Sequence, residues 1–126
     1  RTKKRIEEFD LKQYTKNILM IEPLDYLSMM GLVQKSLFVI TDSGGLQKEA
    51  YFAGKRAIVV MPDTGWRELT DAGWNILSTP GEIKDKMNCV INDTIDSKPK
   101  NIYGDGNAGK KIVSYILNDF NSSLYF

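Results

Sequence analysis

The chain has 126 residues, of which 42% are hydrophobic and 26% charged, and this length and composition predict one folded domain. Its net charge of +1 at pH 7 argues against nucleic-acid binding through bulk electrostatics. No apolar run approaches the roughly 20 residues that cross a bilayer, and no signal peptide is visible at the basic start, so we expect a cytoplasmic protein without membrane contact. The single cysteine and the lack of histidine exclude an internal disulfide, a Ser-His-Asp triad and histidine-ligated zinc within this chain, and we expect no metal and no cofactor.

Short apolar runs alternate with longer amphipathic stretches, a pattern typical of an α/β fold with a parallel sheet and helices on both faces. Residues 1–9 predict the end of a basic helix. Residues 18–21 (ILMI) predict a short buried strand, which Pro23 ends. The spacing of apolar residues predicts a helix over 24–35, and the wholly apolar run 37–40 predicts a strand covered on both faces.

The same alternation continues through the middle of the chain. The next helix is predicted to run to about Ala53, with Gly54 as its C-terminal glycine. A strand is predicted over 57–61, a short helix over 65–72 and a last short strand over 74–77.

The last part of the chain predicts two helices around a polar loop. Residues 79–82 (TPGE) form a capping box that starts one helix, in which we expect Cys89 to be a small core residue. A polar loop covers 92–106, and Asn107 is expected to cap the terminal helix. One face of that helix is predicted to be core or a seam with another domain: Ile112, Ile116 and Phe120. No domain boundary is visible within 1–126.

The segment 41–45 (TDSGG) carries the strongest chemical signal, because it joins a strand to a helix and ligands of parallel sheets bind beyond the carboxyl ends of strands. A helix N-terminus presents free N–H groups to an anion, and two glycines let the backbone approach a phosphate. Ser43 adds a hydroxyl, and Glu49, about one turn on, is placed to accept hydrogen bonds from a ribose diol. Together they indicate a nucleotide or nucleotide-sugar site. From spacing alone, a tight strand-to-helix turn explains the glycines equally well.

Residues 41–50 (TDSGGLQKEA) resemble the T-D-S-G-G-x-Q-x-E-A signature of the non-hydrolysing UDP-N-acetylglucosamine 2-epimerases. Other segments agree with this family in the same order, so the resemblance covers nearly the whole chain. They include the P-x-x-Y-L stretch in 21–27, the region 54–68, the A-G-x-N motif in 72–75 and the Y-G-D-G-x-A motif in 103–108.

The resemblance implies the second, UDP-binding half of a GT-B fold, in which two Rossmann-like domains enclose the active site. Residues 1–5 (RTKKR) resemble the family's H-P-R-T-x-K-R motif entered two residues late. The family's catalytic carboxylates belong to its first domain, so we expect no catalytic residue in this chain. A UDP-sugar substrate and a homodimeric full-length enzyme are also implied.

The family's reaction inverts C2 of UDP-GlcNAc to give UDP-ManNAc, by elimination of UDP and its re-addition. Carried over by position, Ser43, Gly44 and Gly45 would contact the diphosphate, and Glu49 the uridine ribose. The expected site also includes Asp42, although this residue could instead tie down the turn.

Two further positions complete the expected site. Arg1 would border the cleft, given its place in the histidine motif, and Tyr26 would either line the uracil pocket or lie in the core on its helix. The tryptophans Trp66 and Trp74 look most like the branch that acts on diacetamido uronates; they would border the sugar or pack in the core. The motif at 103–106 would contact the cleft or form a turn that aims the last helix.

Two positions depart from the family pattern. The family has an arginine where this chain has Met61, and a glutamate where it has Gly65. Loss of a cation near a diphosphate would weaken its binding unless Arg67 compensates. Arg56 also departs from the family pattern, since it stands where proline is usual. Two alternatives therefore stay open: a non-catalytic nucleotide-sugar binding or regulatory module, and a GT-B glycosyltransferase.

Overall fold

A parallel sheet of three short strands forms the centre of the computed structural model, which describes residues 2–93 and 101–123, with side chains up to residue 119. The strands are β1 (Val39–Thr41), β2 (Ala57–Val59) and β3 (Ile76–Leu77), in the order β1-β2-β3. A helix connects each pair of neighbouring strands. Because all three strands are parallel, their carboxyl ends lie at one edge of the sheet.

Helices account for most of the other described residues, and their bounds agree with the alternation predicted from the sequence. Short 3₁₀ turns cover Lys12–Thr15 and Pro80–Glu82. The α-helices are α1 (Thr2–Glu8), α2 (Tyr26–Lys35), α3 (Gly44–Phe52), α4 (Arg67–Asp71), α5 (Ile83–Asn92) and α6 (Ala108–Ser123).

The main core lies between β1, β2 and the helices α2 and α3. Its buried members are Val33 from α2, Ala50 from α3, and Val39, Ala57 and Val59 from the strands. Side chains alternate along a strand, so the next residue of β2, Ile58, faces the other side of the sheet, and it too is fully buried. Both faces of β2 are therefore covered, as is typical of a central strand in a parallel sheet.

Local signals fix where the helices begin and end. The Asp25 carboxylate accepts a hydrogen bond from the Ser28 amide at 3.1 Å and caps α2. Gly54 follows α3 with φ of 73°, a left-handed conformation that favours glycine. The predicted capping box before α5 is confirmed, because Glu82 Oε2 accepts from both the amide and the hydroxyl of Thr79, at 3.0 and 2.8 Å.

The predicted strand at 18–21 is wrong. These residues form no sheet bridge, and Leu19 is 88% exposed. An apolar tetrapeptide becomes a strand only when another backbone pairs with it, and no neighbour is present among the described residues. The prediction that the strand at 37–40 is covered on both faces is also wrong. Leu37 precedes β1 and is exposed, and Ile40 is 42% exposed, so only one face of β1 is buried.

Two further expectations concern burial. The expectation that Cys89 is a core residue is wrong, because Cys89 is exposed on α5. Ile112 and Ile116 on α6 are also exposed, so the core alternative is wrong for them, and the seam with another domain stays a prediction. The Phe120 side chain lies outside the described residues, as do residues 94–100 of the predicted polar loop. None of the described helices is long and apolar enough to cross a membrane.

The start of α6 differs in detail from the expected cap. The Asn107 carbonyl accepts the Lys111 amide at 3.0 Å, which places Asn107 at the helix start. Its side-chain amide, however, donates back to the Asp105 carbonyl oxygen at 3.4 Å. The Asp105 carboxylate instead holds this turn, through the Asn107 amide at 3.0 Å and Lys111 Nζ at 3.2 Å.

Candidate functional site

The turn between β1 and α3 lies at the carboxyl edge of the sheet, where the sequence placed the site. Thr41 Oγ1 accepts the Ser43 amide at 2.9 Å, and Ser43 is the N-cap of α3, its Oγ accepting from the Leu46 amide at 3.5 Å. The exposed carboxylate of Asp42 takes part in neither bond, so Thr41 rather than Asp42 ties down the turn. Asp42 is left facing solvent beside the helix N-terminus.

The glycine pair opens α3 without any need for glycine in the fold itself. Neither Gly44 nor Gly45 has a positive φ. A Cβ added to Gly45 would meet nothing within 4 Å, and one on Gly44 would meet only Trp66 Nε1 at 3.8 Å, an ordinary contact. Glycine inside a helix costs roughly 0.5–1 kcal/mol relative to alanine. A tight turn therefore does not explain the pair, which leaves the backbone of the first turn of α3 open to solvent.

The same turn offers hydrogen-bond donors. The first N–H groups of an α-helix have no acceptor within the helix, and no described residue accepts from the amides of Gly44 or Gly45. These amides sit at the positive end of the α3 dipole. The edge can therefore bind an anion such as phosphate through backbone donors.

Gln47 connects the turn to the loop that follows β2. Its side chain is buried, with 1% exposed. Gln47 Oε1 accepts the Thr64 hydroxyl at 2.7 Å, and Nε2 donates to Met61 Sδ at 3.9 Å. Sequence analysis missed this role, although Gln47 precedes the apolar Ala50 and Tyr51 by three and four residues, a helical spacing that could have signalled a buried position.

Arg67, which was considered as compensation for Met61, and Arg56, which stands where proline is usual, both have partners in the structure. Arg67 pairs with Asp63 at 3.0 Å. Arg56 donates to the carbonyl oxygens of Trp74 and Gly73 at 3.2 and 3.1 Å and pairs with Asp93 at 3.0 Å. Arg56 therefore joins β2 to α5 and to the start of β3.

Aromatic side chains cluster beside α3. The Trp66 indole N–H donates to the Gly44 carbonyl oxygen at 2.7 Å. Tyr103 makes edge-to-face contacts with Trp66 and Tyr51, and its ring, like that of Trp66, has Lys48 Nζ 4.3 Å from its centroid. Tyr103 thus packs against α3, whereas Asp105, two residues on, holds the turn into the last helix.

The hydroxyl of Tyr103 is buried in this cluster. No described group meets hydrogen-bond geometry with it. Burial, together with the nearby Glu68 carboxylate, raises the pKa of Tyr103 to about 12. The phenol therefore stays neutral, and it adds no charge to the cluster at physiological pH.

The remaining expected residues lie apart from the turn or outside the described chain. Trp74 is buried, and its N–H donates to the Lys55 carbonyl oxygen at 2.9 Å, so the packing interpretation is confirmed for this tryptophan. Tyr26 is the first residue of α2 and is 63% exposed, so its placement in the core is wrong. Glu49 is half-buried on α3. Arg1 lies outside the described residues.

Metal ligands do not cluster in the part of the chain that the structure describes. No group of three or more Cys, Asp and Glu side chains is arranged there to hold an ion. Binding at this edge would therefore rest on backbone amides, hydroxyls and the surrounding side chains.

Comparison with known proteins decides the family. The family model described as UDP-N-acetylglucosamine 2-epimerase matches residues 1–117. The chain belongs to the UDP-N-acetylglucosamine 2-epimerase family. The resemblance seen in the sequence is therefore confirmed.

Curated relatives agree with this family. The chain is 36% identical over 118 residues to the UDP-2,3-diacetamido-2,3-dideoxy-D-glucuronate 2-epimerase of Pseudomonas aeruginosa, covering 92% of this chain and 32% of the relative. It is 37% identical over 125 residues to the UDP-N-acetylglucosamine 2-epimerase of Methanococcus maripaludis, covering 94% and 33%. The chain thus spans about a third of the length of these relatives.

Solved structures give the same answer for the fold. The UDP-GlcNAc 2-epimerase of Methanocaldococcus jannaschii, in complex with UDP-GlcNAc and UDP, matches with a TM-score of 0.75 and 32% identity, over 94% of this chain and 33% of that chain. The enzyme of Neisseria meningitidis bound to UDP-GlcNAc matches with a TM-score of 0.71 and 32% identity, over 90% and 33%. The predicted α/β class, a parallel sheet flanked by helices, is confirmed.

Proposed function

We propose that residues 41–49 bind the diphosphate and ribose of a UDP-sugar, as part of an enzyme that interconverts UDP-GlcNAc and UDP-ManNAc. The observation that carries this proposal is the glycine pair, which the fold does not need and which opens the backbone of a helix N-terminus to an anion. A related structure supports the ligand, since the Methanocaldococcus jannaschii enzyme is in complex with UDP-GlcNAc and UDP.

Each residue of the proposed site has a distinct task. The amides of Gly44 and Gly45 and the Ser43 hydroxyl donate to the diphosphate. The Glu49 carboxylate accepts from the ribose diol. Asp42 lines the rim of the turn. Two more residues complete the proposed site at the nucleotide and the cleft: Tyr26 and Arg1.

The proposed reaction has two steps. A base removes the proton on C2, and the electrons of the C2–H bond form a double bond between C1 and C2. The C1–O bond breaks, its electron pair leaves with UDP, and a 2-acetamidoglucal results. UDP then attacks C1 again as a proton is delivered to the opposite face of C2. Oxidation state is unchanged overall, and we propose no cofactor. The α3 N-terminus stabilises the charge that develops on the leaving diphosphate.

The proposal extends to the whole protein. Because the chain spans about a third of its relatives, we place the base and the acid on another domain of the complete protein. We further propose that the domain described here is the UDP-binding half, that the complete enzyme is a homodimer, and that it works in the cytoplasm.

UDP titration into the 126-residue chain tests the binding site. We expect millimolar or tighter binding, weakened in Gly45→Ala because the added Cβ occupies the space a phosphate would use. Alanine favours the helix by roughly 0.5–1 kcal/mol, so loss of binding could not be blamed on unfolding. Gly31→Ala on α2, another helical glycine with open space around it, is the matched control. Failure of the unaltered chain to bind UDP at millimolar concentration would contradict the proposal.

Activity is tested on the product of the complete gene. The enzyme is incubated with UDP-GlcNAc in deuterated water, and products are followed by NMR. We expect UDP-ManNAc with deuterium at C2, because the proton there is exchanged during elimination. If no N-acetylated UDP-hexosamine is converted, the proposed reaction is wrong.

Met61 and Gly65 favour a second candidate, a nucleotide-sugar binding module without catalysis. Arg67 is already paired with Asp63, so no arginine of the loop 61–67 is free to replace the family's cation. The double substitution Met61→Arg and Gly65→Glu in the complete protein separates the candidates. Activity only in the doubly substituted protein would support the binding module.

A further inference from the structure

Lys48 is held between two aromatic rings beside the glycine turn. Its Nζ lies 4.3 Å from the ring centroids of both Trp66 and Tyr103. The side chain is half-buried, and none of the ion pairs found among the described residues includes Lys48. The Glu68 carboxylate of the same cluster lies near the Tyr103 hydroxyl. The Lys48 ammonium is partly desolvated and has no ion-pair partner in the described part of the chain. It would therefore be stabilised by binding an anion from outside the chain.

Lys48 and its two aromatic neighbours lie beside the site proposed for the diphosphate. Lys48 lies one helical turn after Gly44, and helical side chains lean toward the N-terminus, so its stem passes over the first turn of α3. Trp66 contacts Lys48 with its ring and donates its N–H to the Gly44 carbonyl oxygen at 2.7 Å. The ammonium and the free amides of α3 therefore belong to one surface.

We propose that Lys48 is the cation that contacts the diphosphate at this site, and that Trp66 and Tyr103 are positioning residues that hold its ammonium there. This inference rests on the proposed UDP site. It also gives the chain a cation in place of the arginine missing at Met61, whereas Arg67 is paired with Asp63 and Arg56 with Asp93.

The arrangement suits a leaving group that must depart and return. The rings attract the ammonium through their π faces, and because Lys48 has three N–H donors, at least one of them remains free to donate to an anion. No carboxylate has to be displaced when the diphosphate arrives. A charge held in place before the reaction needs no reorganisation as negative charge develops on UDP.

Titration of UDP and of uridine into Lys48→Met tests the charge. Methionine keeps the helix propensity and the apolar stem, so the fold should be retained. Because charge-assisted hydrogen bonds are the stronger ones, we expect UDP affinity to fall about tenfold or more, with uridine affinity unchanged and a weaker dependence on salt. Lys35→Met, the same substitution at the end of α2, is the control and should bind both ligands normally.

The outcomes separate this inference from the function on which it rests. Equal UDP affinity in Lys48→Met and the unaltered chain would overturn the role of Lys48 and leave the UDP site standing. If only UDP-glucuronate, with its sugar carboxylate, loses affinity, the diphosphate assignment is wrong. If the unaltered chain binds no UDP, the proposed function and this inference both fail.

Two substitutions of Trp66 test positioning. Trp66→Phe keeps a ring beside Lys48 and loses the N–H, whereas Trp66→Leu loses both. We expect Trp66→Phe to retain more of the preference for UDP over uridine than Trp66→Leu. In ¹⁵N NMR spectra, UDP should shift the Trp66 indole signal and leave the Trp74 signal in place, because the Trp74 indole bonds to the Lys55 carbonyl before β2. An unmoved Trp66 signal would contradict the proposal.

Discussion

The contribution of a single residue to stability depends on its burial and its hydrogen-bond partners, as two arginines of this chain show. Arg56 and Arg67 each pair with an aspartate at 3.0 Å. The side chain of Arg56, however, is 11% exposed and also donates to two backbone carbonyls, while that of Arg67 is 73% exposed and has only its aspartate. Equal distances therefore do not imply equal contributions to stability.

We expect Arg56→Met to lower the free energy of unfolding by about 2–4 kcal/mol, because it leaves the carbonyls of Trp74 and Gly73 and the Asp93 carboxylate without their partner. Arg67→Met should change it by less than about 0.5 kcal/mol. Urea unfolding of both variants measures the difference. Equal effects would show that the buried pair contributes no more than the exposed one.

Sequence patterns predicted local structure well at this scale and burial less well. The TDSGG turn, the glycine after α3 and the capping box depend on residues within a few positions of one another, so they could be found from the sequence. Trp66 bonding to Gly44 and Gln47 bonding to Thr64 join segments far apart in the chain. No local pattern contains that information.

At the scale of elements, the capping box shows how one turn sets the start of α5. Glu82 accepts two hydrogen bonds from Thr79, and the one from the backbone amide is the main reason why the pKa of Glu82 is lowered. A carboxyl with a lowered pKa in the folded state binds its proton less readily there than in the unfolded chain. Its contribution to stability is therefore complete above its unfolded pKa and is lost as the pH falls through the lower, folded value.

Glu82→Gln should consequently cost stability at pH 7 and have a smaller effect at pH 3. Thermal unfolding of the variant and the unaltered chain at both pH values gives the comparison. Thr79→Ser, which keeps the hydroxyl and the amide, is the control and should behave like the unaltered chain. A difference that is the same at both pH values would rule out the carboxylate as its source.

The order of helices and strands along the chain was predictable from the sequence, whereas the pairing of each segment with a neighbouring strand was not. The apolar runs at 37–40 and 57–61 correspond to β1 and β2, and each is followed by a glycine or proline signal. The run 18–21 is equally apolar and is followed by Pro23, yet it forms no strand. Composition indicates which residues favour burial, but pairing requires another backbone, and the sequence of one segment does not say whether that backbone is present.

The molecule as a whole exposes much apolar surface. Among the described residues, Leu19, Leu27 and Leu37 are each more than three-quarters exposed. The first half of α6 has a continuous exposed row that includes Ile112 and Ile116. Apolar patches larger than a few hundred Å² promote association between molecules.

We expect the isolated chain to self-associate at high concentration, since this surface favours contact with other copies. The double substitution Ile112→Lys and Ile116→Lys should reduce association and change the free energy of unfolding by no more than about 0.5 kcal/mol, because both side chains are exposed. Sedimentation velocity over a concentration series measures association. A chain that stays monomeric at every concentration would contradict this expectation.

The buried amide of Gln47 has a mechanical consequence for the carboxyl edge of the sheet. The loop after β2 is attached to α3 at two points one turn apart, through Thr64 to Gln47 and through Trp66 to Gly44. Two such attachments prevent the loop from rotating or sliding relative to the helix. We therefore expect the loops of β1 and β2 to move together. If the proposed nucleotide binds at this edge, closure around it would take place elsewhere, and the edge would keep its shape between the empty and the filled site.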